Sequence, residues 1–150
     1  MACWRAGHVR RWPKLGETIR PLASTTSKSL PVSARKAGWT QRPDLSALNR
    51  QLLAVTEDMN VDIIWLMNAS GDCVAASNAT QPMSFVGTNY ADRSYFTSAQ
   101  AGKRGQQYAM GRVTKVPGLF FSVPVTLGGR FLGAVTIKID LPNIASAINH

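Results

Sequence analysis

The stretch GLFFSVPVTLGGRFLGAVTIKID, residues 118–140, decides the fold. Two runs rich in β-branched and aromatic residues flank Gly128-Gly129, a dipeptide suited to a tight hairpin because its central residues can take positive φ. The first strand is read over 118–127, entered through Val116-Pro117-Gly118, and the second over 130–140, broken by Leu141-Pro142. A two-residue turn sets Thr126 opposite Phe131 and, carried along the strands, Leu119 opposite Lys138. One face then holds Phe121, Val123 and Val125 with Leu132, Ala134, Thr136 and Lys138. The other holds Phe120 and Ser122 with Phe131, Val135 and Ile137. Both faces are largely apolar, so the sheet must be covered on both sides.

Upstream, GQQYAMGRV (105–113) reads as a further strand, and ADRSYFTSAQAG (91–102) as a short helix stopped by Gly102. ATQPMSFVGT (79–88) reads as a loop. VDIIWLMN (61–68) and the region 72–77 form a hairpin around the turn ASGD. Before them, Pro43-Asp44 offers a helix start with Asp44 as N-cap. Leu45, Leu48, Leu52, Val55 and Met59 then recur at helical spacing, while Asn49, Arg50, Glu57 and Asp58 fall away from that stripe. NIASAINH, at the end of the chain, looks like the start of another helix. The order implies an α+β domain: a five-stranded antiparallel sheet with the 44–59 helix on one face and the 79–102 segment on the other.

Charge divides the chain in two. Residues 1–42 hold nine Lys/Arg and one acid, a net of +8; residues 43–150 hold eight Lys/Arg and seven acids, a net of +1. The pI thus belongs to the first segment, read as a basic disordered tail because its Ser, Thr, Lys, Arg and Pro content has no sustained period. It could be an organelle transit peptide or a basic arm for nucleic acid or membrane. The near-neutral domain argues against nucleic acid. The 43–150 region is one domain.

The two cysteines, Cys3 and Cys73, do not suggest a structural disulfide, and the two histidines, His8 and His150, lie at opposite ends. No Cys/His cluster has metal-ligand spacing, so no metal or cofactor is expected. A histidine-based catalytic site is equally unexpected. No apolar run reaches membrane-helix length, and no secretory signal is visible.

Two cations are oddly placed. Arg93 opposes the dipole at the start of the 91–102 helix, next to Tyr90, Tyr95 and Phe96. A guanidinium fork, phenol hydroxyls and helix-start N–H groups together suit a carboxylate. The plain alternative is a surface arginine with Tyr95 and Phe96 as core anchors. Lys138 lies between Ile137 and Ile139, where an ammonium must either snorkel to the rim or meet an anion. Asp140 is a candidate partner, set against by the alternation of faces along a strand.

The residues 84–141, with the elements R-x-Y-F (93–96), G-x-V-T (111–114) ahead of Pro117-Gly118, and the final strand ending in Lys138, resemble the extracytoplasmic PAS-like (Cache) sensor domains of bacterial sensor histidine kinases. They are most similar to the four-carbon-dicarboxylate sensor kinases. The resemblance covers residues 43–150. It implies a PAS-like lobe that binds a small organic anion, dicarboxylate-like, between the sheet and its covering loops, with no catalysis in this chain. Arg93 and Tyr95 would contact one ligand carboxylate and Lys138 another; Tyr90, Ser94, Tyr108, Gly111 and Thr114 fall at neighbouring positions. It also implies a periplasmic or other extracytoplasmic location within a two-component membrane receptor, and a homodimer through the N-terminal helix. The alternatives are a degenerate lobe kept for dimerisation, with Lys138 turned outward, and a basic-tail protein that binds nucleic acid or membrane.

Overall fold

In the computed structural model, residues 18–20 and 31–141 are described. After residue 31 come the helices α1 (Val32–Thr40) and α2 (Pro43–Met59). A hairpin of β1 (Ile63–Asn68) and β2 (Cys73–Ala76) follows, then the short helix α3 (Ser94–Gln100). The strands β3 (Gly105–Met110), β4 (Pro117–Leu127) and β5 (Arg130–Asp140) complete the domain. The strands form one antiparallel sheet in the order β2-β1-β5-β4-β3. The first and last hairpins thus meet at its centre, where β1 pairs with β5.

Both faces are covered, as the apolar pattern requires. Leu45, Leu48 and Leu52 of α2 pack on Ile64, Leu66, Val123, Val135 and Ile137, with Val55 and Met59 at the margin. On the other face, Phe85, Val86, Tyr90, Tyr95, Phe96 and Ala99 pack on Trp65, Met67, Phe120 and Ala134. Asn49, read as facing away, is buried instead. Its Oδ1 accepts the Ala76 N–H at 2.9 Å, satisfying a donor at the edge strand that would otherwise cost desolvation energy.

The register of the last hairpin differs from the simple extension of its turn. Gly128 and Gly129 adopt φ of 58° and 76°, and Thr126 does pair with Phe131. A bulge then intervenes between Val125 and Thr126, so that Val125 pairs with Gly133 and Phe120, not Leu119, faces Lys138. The extra residue slips the pairing by one. Beyond the bulge the expected faces are exchanged: Val135 and Ile137 join Val123, Val125 and Leu132 on the α2 side, while Ala134, Thr136 and Lys138 fall on the side of Phe120, where Phe131 meets Phe96 with ring centroids 5.8 Å apart. Gly133 allows the bulge: its φ is +156°, and a Cβ there would run into the Met67 carbonyl and the Ile19 side chain. Gly133→Ala is expected to destabilise the domain by about 3 kcal/mol, visible as a lowered thermal midpoint. An unchanged midpoint would mean that the bulge relaxes freely.

Helix α1 falls within the segment that the sequence reads as a basic tail. It carries only one strong apolar anchor, the partly buried Trp39, which packs against both cores. A second tie is ionic: Arg35 Nη1 lies 3.3 Å from the buried Asp72 carboxylate. Tertiary contacts, not periodicity, thus hold this helix. Ile19 is fully buried in the α2-side core. Residues 1–17, 21–30 and 142–150, including the C-terminal helix expected from the sequence, lie outside the described residues.

Candidate functional site

Trp65 is the hub of the α3-side face. Being central in β1, it meets Phe85, Tyr90, Tyr95 and Phe120 at centroid distances of 5.0, 5.7, 6.0 and 5.9 Å. Tyr95 stacks on Phe120 at 5.1 Å with only 5° between the ring planes. The rings are buried, yet the polar atoms Trp65 Nε1, Tyr90 Oη and Tyr95 Oη have no hydrogen-bond partner among the described residues. Arg93 Nε and Thr136 Oγ1 share that condition, and Thr136 pairs with Trp65 across the sheet. Buried polar atoms without partners are uncommon in folded proteins. Here five gather on one face.

The two tyrosines keep their protons firmly. Burial pushes both hydroxyls well above the ordinary phenol range, partly offset by the charges of Arg93 and Arg112. They therefore present O–H donors at neutral pH.

Arg93 occupies the N-cap position of α3 with extended backbone angles. Its Nη2 donates to the Met110 carbonyl at 3.0 Å, leaving Nε buried and unused. Arg93 as a whole is half-buried. Of the helix-start amides, the Ser94 N–H donates to Gln107 Oε1 at 3.1 Å, and those of Phe96 and Thr97 donate to the Arg93 carbonyl. Ser94 itself is exposed.

Lys138 is fully buried and not turned outward. Its Nζ donates to Thr114 Oγ1 at 2.8 Å and to the Val116 carbonyl at 2.9 Å, and lies 5.6 Å from the Phe120 ring centroid. Asp140 Oδ1 is 2.9 Å away, but the approach does not meet hydrogen-bond geometry, so this contact is coulombic. The alternation of faces had counted against this pair. Residues 138 and 140 are two apart, however, and so share a face. Gly111 completes the surround: a Cβ on it would stand 2.7 Å from Lys138 Nζ and 2.5 Å from Thr114 Oγ1. Arg93 and Lys138 thus converge on the adjoining residues Met110 and Gly111.

Tyr108 is not part of this arrangement. Its neighbour Gln107 pairs with Phe120 and shares the site face, so Tyr108 points to the opposite side of β3, where it is 59% exposed. Sequence reasoning did not single out Trp65, Thr136 or Arg112, which the structure places beside these residues. Arg112 Nη2 lies 2.7 Å from Asp92 Oδ2, and this pair holds the Asp92 carboxyl below its usual range. A tryptophan inside an apolar strand run, and an arginine following Gly111 in a singled-out turn, were the available signals.

No family model matches the chain. The C4-dicarboxylate transport sensor protein DctB of Rhizobium meliloti is 39% identical over 103 residues, which are 69% of this chain and 17% of that protein. The sensor domain of the V. cholerae histidine kinase DctB superposes with a TM-score of 0.69 at 24% identity, over 95% of this chain and 54% of that one. The ligand-binding domain of the Pseudomonas aeruginosa PAO1 amino acid chemoreceptor PctC, in complex with GABA, superposes with a TM-score of 0.56 at 21% identity over 79% of this chain and 57% of that one. With the five-stranded sheet and its covered faces, these likenesses make the chain a PAS-like sensor domain of the kind found in bacterial sensor kinases. Its sequence relatives are C4-dicarboxylate sensor proteins, of which it spans only a small part. No described helix is long and apolar enough to cross a membrane.

Proposed function

We propose that the Trp65 face binds a small organic anion with two carboxylates, and that the chain serves as the extracytoplasmic ligand-sensing lobe of a two-component receptor, with no catalysis of its own. The carrying observation is the set of unpartnered buried atoms on one face. Trp65 Nε1, Tyr90 Oη, Tyr95 Oη and Arg93 Nε can all donate, and indole and guanidinium nitrogens cannot accept. A donor-lined site suits an acceptor-only ligand. Arg93 would take one carboxylate. Lys138 Nζ donates to Thr114 Oγ1 and the Val116 carbonyl and pairs with Asp140, so the second carboxylate would share the ammonium with Asp140 or displace it. The likeness to C4-dicarboxylate sensor proteins supports the same choice.

The amino acid chemoreceptor likeness raises a different ligand class. A ligand ammonium needs acceptors, and among the described side chains the one buried proton-free acceptor atom without a hydrogen bond is Asp140 Oδ1, which already faces Lys138. An affinity between millimolar and micromolar is expected for a small dianion, roughly −4 to −8 kcal/mol. Binding would act on the receptor as a population shift, favouring the conformer in which the sheet and its cover close on the ligand. Calorimetry on the whole chain with succinate, malate, fumarate and GABA tests the reading, with Tyr108→Ala as a control that should bind like wild type. Heat from the dicarboxylates and none from GABA is the expected result. GABA binding without dicarboxylate binding would overturn it.

A further inference from the structure

The turn from β3 to β4 carries an arginine that the ligand reading leaves without a role. Arg112 bridges two acceptors on either side of Tyr90 in sequence. Its Nη1 donates to the Asn89 carbonyl and its Nη2 to Asp92 Oδ2, both at 2.7 Å. Its guanidinium carbon lies 5.7 Å from the centroid of the Tyr90 ring. Asn89 is held from its other side, where Nδ2 donates to Ser70 O and to Asp72 Oδ1, each at 2.9 Å. The same turn places Gly111, Thr114 and Val116 around the Lys138 ammonium. Met110, just before it, accepts from Arg93. One short segment therefore touches both cations of the site and, through Arg112, the loop that leads into Arg93.

An exposed ion pair by itself contributes little. A guanidinium gripping two fixed acceptors at once contributes geometry. We propose that Arg112 is a positioning residue of the anion site: its fork ties residues 89–92 to the β3–β4 turn and so sets Tyr90 and Arg93 at the right separation from Lys138. This role rests on the anion-binding reading. Arg112 acts through its neighbours, because both of its terminal nitrogens are already engaged by Asn89 and Asp92.

Two variants of the whole chain test it, Arg112→Lys and Asp92→Asn. Lysine keeps the charge but cannot bridge two acceptors. Asp92 is 69% exposed in its side chain, so its replacement does not threaten the core. Two readouts are needed: succinate affinity by calorimetry, and solvent exchange of the buried Arg93 Nε–H by 15N NMR without ligand. Arg112→Lys is expected to weaken succinate binding about tenfold and Asp92→Asn about threefold. Both should speed exchange at Arg93 Nε–H. Wild-type affinity and unchanged exchange in both variants would overturn the proposal, as would full function in Arg112→Lys. If wild type binds no succinate while the exchange still accelerates in the variants, the ligand assignment fails, and what stands is only that Arg112 fixes the segment carrying Arg93.

Discussion

Arg93→Ala is expected to lower succinate affinity about 100-fold with little loss of stability. Truncating one partner of a desolvated, hydrogen-bonded charge pair costs about 2–5 kcal/mol, and about 3 kcal/mol corresponds to roughly two decades in Kd. The ligand-free fold would scarcely notice, because among the described residues the Arg93 side chain gives the protein one hydrogen bond, to the Met110 carbonyl. Arg93→Lys should fall between wild type and alanine, keeping the charge but not the Nε–H directed at the site. Titration calorimetry measures the affinities and thermal melts the stability. Undiminished succinate binding in Arg93→Ala would remove the guanidinium from the site altogether.

Trp65→Ala is expected to have the largest effect on stability. Trp65 is fully buried and in ring contact with Phe85, Tyr90, Tyr95 and Phe120. Such a truncation costs about 3–5 kcal/mol, which lowers the thermal midpoint by on the order of 15 °C. The informative partner is Trp65→Phe. It keeps much of the packing but deletes Nε1–H, a donor with nothing in the described protein to lose. Its expected signature is therefore a modest stability change with succinate affinity reduced about tenfold. Equal succinate affinity in Trp65→Phe and wild type would show that Nε1 meets no ligand.

Much of this could be seen in the sequence because local patterns carried it. The leucine stripe of α2, the Gly128-Gly129 hairpin and the doubly apolar strands led directly to a sheet covered on both faces. Arg93 and Lys138 stood out because a cation at a helix start and an ammonium in an apolar strand each need a reason. What stayed hidden depends on contacts distant in sequence. Helix α1 is held by Trp39 and by Arg35 on Asp72, neither of which leaves a period. The Gly133 bulge shifts the β4–β5 pairing because the chain must pass close to Met67, a residue of another hairpin. Asn49 reads as polar until the Ala76 amide it satisfies is known. Tyr108 reads as a site residue until the register of β3 turns it away.

These corrections leave the two cations in place and change what surrounds them. Lys138 is not an exposed charge awaiting an anion. It is held by Thr114, Val116 and Asp140 above the Phe120 ring. A ligand carboxylate must therefore share the ammonium with Asp140 or displace it. The dicarboxylate reading depends on that exchange.

The most direct measurement is a crystal structure of the chain with succinate. One carboxylate should lie at charge-assisted hydrogen-bond distance, about 2.7–2.9 Å, from Arg93 Nε, and the other at that distance from Lys138 Nζ. Succinate bound away from the Trp65 face, or bound there while Lys138 keeps only Thr114, Val116 and Asp140, would contradict the account.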